Sequence, residues 1–250
     1  MARIIAISTH KGGAGKTVTA LALAAGLAST GERCLLIDLD PQGHSSIGIG
    51  VERFEPTIKD FFERHPALPL EAVLQPAPTR ENLDVAPCDL RLAWIAEALS
   101  GRPKKEELLR RGLRPLEPRY GWIVIDTPPS LGAMTQNALA AADCVVIPTQ
   151  ADARAANAIA DLLELVQLIK GDAFGLYGIL RTKVDPHKTR TNAAVVTAIE
   201  RWKSRVFRTV IPVSEPLNQA QMARRDIFDF APKSAGALAY VELIHELQQL

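Results

Sequence analysis

The chain has 250 residues, 47% hydrophobic and 23% charged, with a formal net charge of +1. That profile belongs to a globular protein with a core, and it excludes disorder and collagen-like structure. No apolar run approaches the roughly 20 residues that cross a bilayer. Met1-Ala2-Arg3-Ile4-Ile5 opens no apolar leader, so no secretory signal is expected. The three isolated cysteines, Cys34, Cys88 and Cys144, have neither disulfide nor zinc spacing. They read as buried, reduced thiols of a cytosolic protein.

In chain order, Arg3–Ser8 is the first predicted strand and Thr17–Ser29 the first helix. Arg33–Asp38 is the second strand, and the prolines of Pro66–Pro78 predict loop and short helix. Leu83–Ala86 follows as a strand, and charged Arg102–Arg114 as a solvated helix face. Trp122–Asp126 and Cys144–Pro148 are strands, Ile159–Ile169 a helix and Leu176–Arg181 a strand. Asn192–Trp202 is a helix, Val206–Ile211 a strand and Ala235–Leu250 a terminal helix. Several strands are continuous apolar runs, as in a parallel sheet covered on both faces. Their alternation with helices predicts an α/β fold, a doubly wound, mostly parallel sheet flanked by helices. No linker or repeat interrupts the pattern, so a single domain over 1–250 is expected.

The segment His10-Lys11-Gly12-Gly13-Ala14-Gly15-Lys16-Thr17 lies between the first strand and the first helix. Glycines there let the backbone turn tightly and aim N–H groups at a polyphosphate, and the helix start adds its positive dipole end. Lys16 can reach β- and γ-phosphate oxygens, and the Thr17 hydroxyl can ligate Mg²⁺. An ordinary phosphate loop would carry glycine at position 10; this chain has His10 and adds Lys11 before the double glycine. Lys11-Gly-Gly-x-Gly-Lys16-Thr17 is the deviant Walker A form of a P-loop NTPase. Asp126 ends an apolar strand and can hold Mg²⁺ directly or through water. Asp38 and Asp40 are two apart on a strand end, so both can point at the γ-phosphate region.

Together with Leu36-Ile-Asp38-Leu-Asp40-Pro-Gln-Gly43, Trp122-Ile-Val-Ile-Asp126-Thr-Pro-Pro129 and Thr209-Val-Ile-Pro212, this loop resembles the ParA/MinD family of deviant Walker A ATPases, its ParA (Soj-like) branch in particular. The resemblance implies an ATP hydrolase of weak intrinsic activity, with ATP and Mg²⁺ as cofactors. It implies that Lys11, Gly12, Gly13, Ala14, Gly15, Lys16, Thr17 and Val18 hold the nucleotide, and that Thr17, Asp38 and Asp126 surround the metal. Lys11, Lys16 and Asp40 become the catalytic residues, with Asp40 placing the attacking water. Lys11 is the family's signature lysine, which acts across a face-to-face dimer enclosing two ATP molecules, so the ATP-bound form is expected to be a homodimer. Adenine contacts fall near Thr182-Lys183 and near Pro212 and Ser214. No guanine-reading N-K-x-D motif is present.

Between Arg181 and Lys233, eleven lysines and arginines face five acids, an excess of six, which leaves the rest of the chain at −5. ParA-type dimers bind DNA nonspecifically through late basic residues, which points to Arg201, Lys203, Arg205, Arg224 and Arg225, with Arg208 beside them. Soj-like arginines after the proline are replaced here by Pro212-Val213-Ser214-Glu215-Pro216. His44 and Val18 stand where asparagine and threonine are common in the family. The implied partners are a second copy, nonspecific double-stranded DNA and a ParB-like or cargo-adaptor protein that stimulates hydrolysis. The implied cargo is a plasmid or chromosome origin, with a carboxysome or chemoreceptor cluster as the alternative, and the implied location is the cytoplasm, on the nucleoid. A MinD-like membrane role needs a basic amphipathic tail, and Val241–Leu250 has two glutamates and no lysine or arginine. An iron–sulfur relative needs cysteines with flanking motifs that Cys88 and Cys144 lack. No helix-turn-helix precedes the loop, so operator binding is not expected.

Overall fold

The computed structural model describes residues 1–52, 55–152, 154–171, 174 and 176–249. Its elements run β1 (Arg3–Ile7), α1 (Lys16–Ala28), β2 (Cys34–Asp38), α2 (His44–Gly48), α3 (Ile58–Arg64), β3 (Gln75–Pro76), β4 (Leu83–Ala86), α4 (Leu92–Ala98), α5 (Leu108–Leu113) and β5 (Trp122–Asp126). Then follow α6 (Ala133–Ala141), β6 (Cys144–Gln150), α7 (Ala155–Lys170), β7 (Tyr177–Val184), α8 (Thr189–Ala198), β8 (Val206–Pro212), α9 (Glu215–Met222), α10 (Ile227–Phe230) and α11 (Ala235–Gln248). The strands form one sheet in the order β3-β4-β2-β5-β1-β6-β7-β8. All neighbours are parallel except the β3–β4 pair.

Every residue of β2 and β5 is buried, as continuous apolar strands under two helical layers require. Successive side chains leave opposite faces of the sheet. Ile5, Ile7 and Leu36 therefore pack with α1 and α11, through Leu23, Tyr240 and Leu243. Ile4, Leu35 and Ile37 pack with Phe61, Leu109 and Met134 on the other face. A third cluster joins Val145, Ile147 and Ile179 to Ile159 and Leu162 of α7. The fold is the doubly wound sheet that the alternation of elements predicts.

Several local expectations are corrected. Within Pro66–Pro78 a two-residue antiparallel strand, β3, closes one edge, a place where proline is tolerated. The helix expected at Asn192–Trp202 starts earlier and ends at Ala198, and a 3-10 turn, Glu200–Arg205, follows. Ile199 turns inward to the third cluster, and Trp202 leaves helical geometry (φ −111°) with the Arg201 guanidinium 3.8 Å from its ring. In the charged stretch Arg102–Arg114, α5 buries Leu109 and Leu113 while Arg110 and Arg111 face solvent. Leu250, the last residue of the predicted terminal helix, lies outside the described residues. The three thiols are free and buried. Among the described residues, no helix is long and apolar enough to cross a membrane.

Candidate nucleotide-binding site

β1 delivers the chain to the loop at the carboxyl end of the sheet. Gly15, at the start of α1, has φ +91°, a left-handed conformation that a β-carbon would strain. Among the described residues no side chain caps α1, so its first-turn N–H groups face the loop unclaimed by a cap. The Thr182 hydroxyl of β7 donates to the Ala14 carbonyl at 2.7 Å and fixes the loop from outside. Lys16 is buried, and its Nζ donates to the Lys11 carbonyl at 3.3 Å. Burial lowers its pKa, while Asp126 and Asp40 pull the other way. Gly12, Gly13, Gly15, Lys16, Thr17 and Val18 line a cavity of about 560 Å³ together with Asp40, Gln42, His44, Lys183, Asn218, Gln221 and Met222.

Parallel pairing of β2 with β5 puts Asp38 directly opposite Asp126. Both are fully buried. Asp38 accepts from the Asp40 amide (3.1 Å), the Ser46 amide (2.9 Å) and the Ser46 hydroxyl (2.7 Å). Asp126 Oδ2 accepts from the Ser45 hydroxyl, and the Thr17 side chain stands near enough to favour the charged carboxylate. Asp126 Oδ1 is buried with no hydrogen-bond partner among the described residues. Burial, then repulsion from Asp126, raises the Asp38 carboxyl above the usual carboxylate range. Burial and the Asp40 charge do the same at Asp126, against the Ser45 hydrogen bond and the nearby Thr17 side chain. Hard oxygen donors around an unpaired buried carboxylate oxygen suit a small divalent cation. Gly43, at φ +65°, lets the chain turn after Asp40; a β-carbon there would meet the Cys88 carbonyl at 2.8 Å. The Cys88 amide then bonds the Ser46 hydroxyl at 3.0 Å.

Lys11 lies outside that cavity lining. Its Nζ stands 2.8 Å from Asp152, which follows β6, and this contact holds the Asp152 carboxyl below its ordinary range. His10 faces Asp161 of α7 at 3.5 Å. Sequence reasoning missed Asp152, Ser45 and Ser46, for which no contiguous motif exists. Pro212 and Ser214 do not line the cavity: Pro212 pairs with Val184, and Ser214 begins α9 against Gly236 of α11. The lining runs instead through Lys183 and the face of α9 bearing Asn218, Gln221 and Met222.

The basic residues fall into two separate places. Arg201, Lys203 and Arg205 lie in the turn before β8, and β8 runs parallel to β1 through β7 and β6. That turn is therefore at the end of the sheet opposite the phosphate loop. Lys203 pairs with Glu200, and Arg205 lies over Tyr177. Arg224 and Arg225 follow α9, which packs on α2 beside the cavity. Their turn is anchored by Asp226, which caps α10 and is clamped by Arg80 at 2.7–3.1 Å. Arg225 itself pairs with Asp229 at 2.7 Å.

A doubly wound sheet with this loop and two lysines defines a deviant Walker A ATP hydrolase. A family model described as an AAA domain matches residues 2–174. The sporulation initiation inhibitor protein Soj of Bacillus subtilis is 36% identical over 253 residues, covering 99% of this chain and 98% of Soj. The chromosome partitioning protein ParA of Myxococcus xanthus is 36% identical over 250 residues, covering 99% and 88%. Cobyrinic acid a,c-diamide synthase of Mycobacterium smegmatis, solved with an ATP analog and magnesium, superposes with a TM-score of 0.84 at 27% identity, covering 100% and 95%. The chain belongs to the ParA/Soj family of partition-type ATPases.

Proposed function

We propose that this ATPase works as a nucleotide switch: with ATP and Mg²⁺ it closes into a face-to-face homodimer that grips DNA without sequence preference. A partner protein then stimulates hydrolysis and releases it, and the cycle segregates a plasmid or chromosome origin over the nucleoid. The observation that carries this reading is the second lysine of the loop. Lys11 does not line its own cavity; its buried ammonium pairs with Asp152 at 2.8 Å instead. A cation in that place is free to exchange Asp152 for the polyphosphate of a facing subunit, where it would neutralise charge on the transferred phosphoryl group.

Within one subunit, the loop amides from Gly12 to Val18 and the Lys16 ammonium cradle the phosphates. Thr17 and Asp126 would hold Mg²⁺, which neutralises polyphosphate charge. Asp38, with its oxygens engaged by Asp40 and Ser46, would back the metal site, and it secures the segment that carries Asp40. Asp40 orients the attacking water. Lys183, Asn218, Gln221 and Met222 are the groups nearest the base and ribose, with Pro212 and Ser214 supporting them from behind. Arg224 and Arg225, beside α2, form the DNA-contacting pair that nucleotide state can reach, and Arg201, Lys203 and Arg205 supply a second basic surface.

A cofactor-synthesis role, as in the cobyrinic acid a,c-diamide synthase, fits the shared fold, but the relatives 36% identical over nearly the whole chain include the sporulation initiation inhibitor protein Soj and a chromosome partitioning protein ParA. The test is light scattering of Asp40→Ala with ATP·Mg²⁺, with ADP·Mg²⁺ and without nucleotide, alongside retention on DNA. A dimer that forms and binds DNA only with ATP is the expected result. A chain that stays monomeric in all three conditions contradicts the switch.

A further inference from the structure

We propose that Ser45 is the residue that positions Asp126 for Mg²⁺ and thereby ties the metal to α2. This rests on the reading that Asp126 holds the metal.

The first turn of α2 carries two adjacent serines, both fully buried. They serve different carboxylates. Ser46 bonds Asp38 through its amide and its hydroxyl, and its oxygen also receives the Cys88 amide. It anchors α2 to β2 and to the chain after β4. Ser45 instead reaches across 81 residues of sequence to Asp126 Oδ2. Nothing local requires this contact, since α2 is already held by Ser46.

The consequence lies at the other oxygen. With Oδ2 taken by Ser45, the carboxylate has one fixed orientation, and it leaves Oδ1 buried and unpaired. A carboxylate held by a hydrogen bond at one oxygen presents the other to a cation without rotameric search, and outer contacts of this kind tune metal affinity by about 10- to 100-fold. The serine also belongs to the segment between Asp40 and Ile49, whose residues His44, Ile47 and Gly48 line the cavity. Metal at Asp126 and the position of α2 are therefore linked through one hydroxyl.

The experiment is Mg²⁺ titration of fluorescent mant-ATP binding, with a parallel measurement in EDTA and a thermal melt. Ser45→Ala should need about 10-fold or more Mg²⁺ for half-saturation, while its affinity in EDTA stays at the wild-type value. Ser45→Thr should restore the wild-type titration. If S45A does not fold, Ser45→Cys, which keeps the volume with a weak donor, carries the same expectation. Ser46→Ala should lower the melting temperature while its Mg²⁺ midpoint shifts less than that of S45A. An S45A midpoint equal to wild type would overturn the proposal. A wild-type chain that binds mant-ATP with no magnesium dependence would overturn the metal reading first, and the role of Ser45 with it.

Discussion

Asp38 and Asp126 stand opposite each other on neighbouring strands, both out of reach of water. Each is protonated more readily in the folded chain than in the unfolded one, where an aspartate titrates near roughly 3.9. The stability tied to that proton is complete below the unfolded value and is lost as pH rises through the raised folded values. Without magnesium, then, Asp126→Asn should melt above wild type at pH 7, by about 2–4 °C for each kcal/mol of repulsion relieved. The gap should widen between pH 5 and pH 8, and added Mg²⁺ should stabilise wild type alone. Equal melting curves for the two proteins across that range would remove the carboxylate pair as a source of strain. The places of Lys16 and Thr17 at the loop and of Asp126 at a buried strand end were legible in the sequence because motif and strand end are contiguous. Those of their neighbours Ser45 and Asp152 were not, because each meets its partner only after separate elements pack.

At the level of elements, β8 shows how an exposed strand is protected. Its register with β7 shifts between Ile179 and Arg181, and the Arg208 and Thr209 amides turn to Glu246 of α11 at 2.8 and 3.1 Å. The Thr209 hydroxyl bonds the same carboxylate at 2.9 Å. Burial alone would raise the Glu246 pKa, but these hydrogen bonds hold it below the ordinary glutamate range. A carboxylate across the amides also blocks pairing with another strand. Glu246→Ala strands two edge amides and should cost about 1–3 kcal/mol, read as a lower melting temperature at neutral pH. The deficit should shrink as pH falls through the lowered pKa, where the wild-type carboxylate also loses its charge. A neutral substitution would mean that water replaces the glutamate at no cost. Short elements such as α2, α4 and α9 escaped sequence prediction because helices of five to eight residues hold too few helical repeats to show a period.

Across the whole molecule, α11 spends its apolar face on α1 and β8, with Tyr240 bonded to Thr19 at 3.0 Å. That face is occupied by the core, not offered to a bilayer. The basic residues divide between the two ends of the sheet, and only the Arg224–Arg225 pair neighbours α2. Charge reversal at both, Arg224→Glu with Arg225→Glu, should lower ATP-dependent DNA retention. It should also flatten the logarithmic salt dependence by about 0.9 for each phosphate left without its cation. Arg201→Glu with Arg205→Glu should have the smaller effect, since their turn precedes β8 at the end of the sheet opposite the phosphate loop, away from α2. The opposite ranking would move the DNA surface to the amino end of the sheet.

The amino-acid order alone determined the parallel sheet, the phosphate loop and the carboxylates at strand ends. Those features rest on local pattern: apolar runs, glycine spacing and a charge at the last position of a strand. Only the tertiary structure decided that Asp38 meets Asp126, that Lys11 rests on Asp152, that Ser45 closes on a carboxylate 81 residues away, and that the basic residues part into two surfaces. Those contacts depend on strand order and register, which long-range packing selects and which no stretch of neighbouring residues encodes.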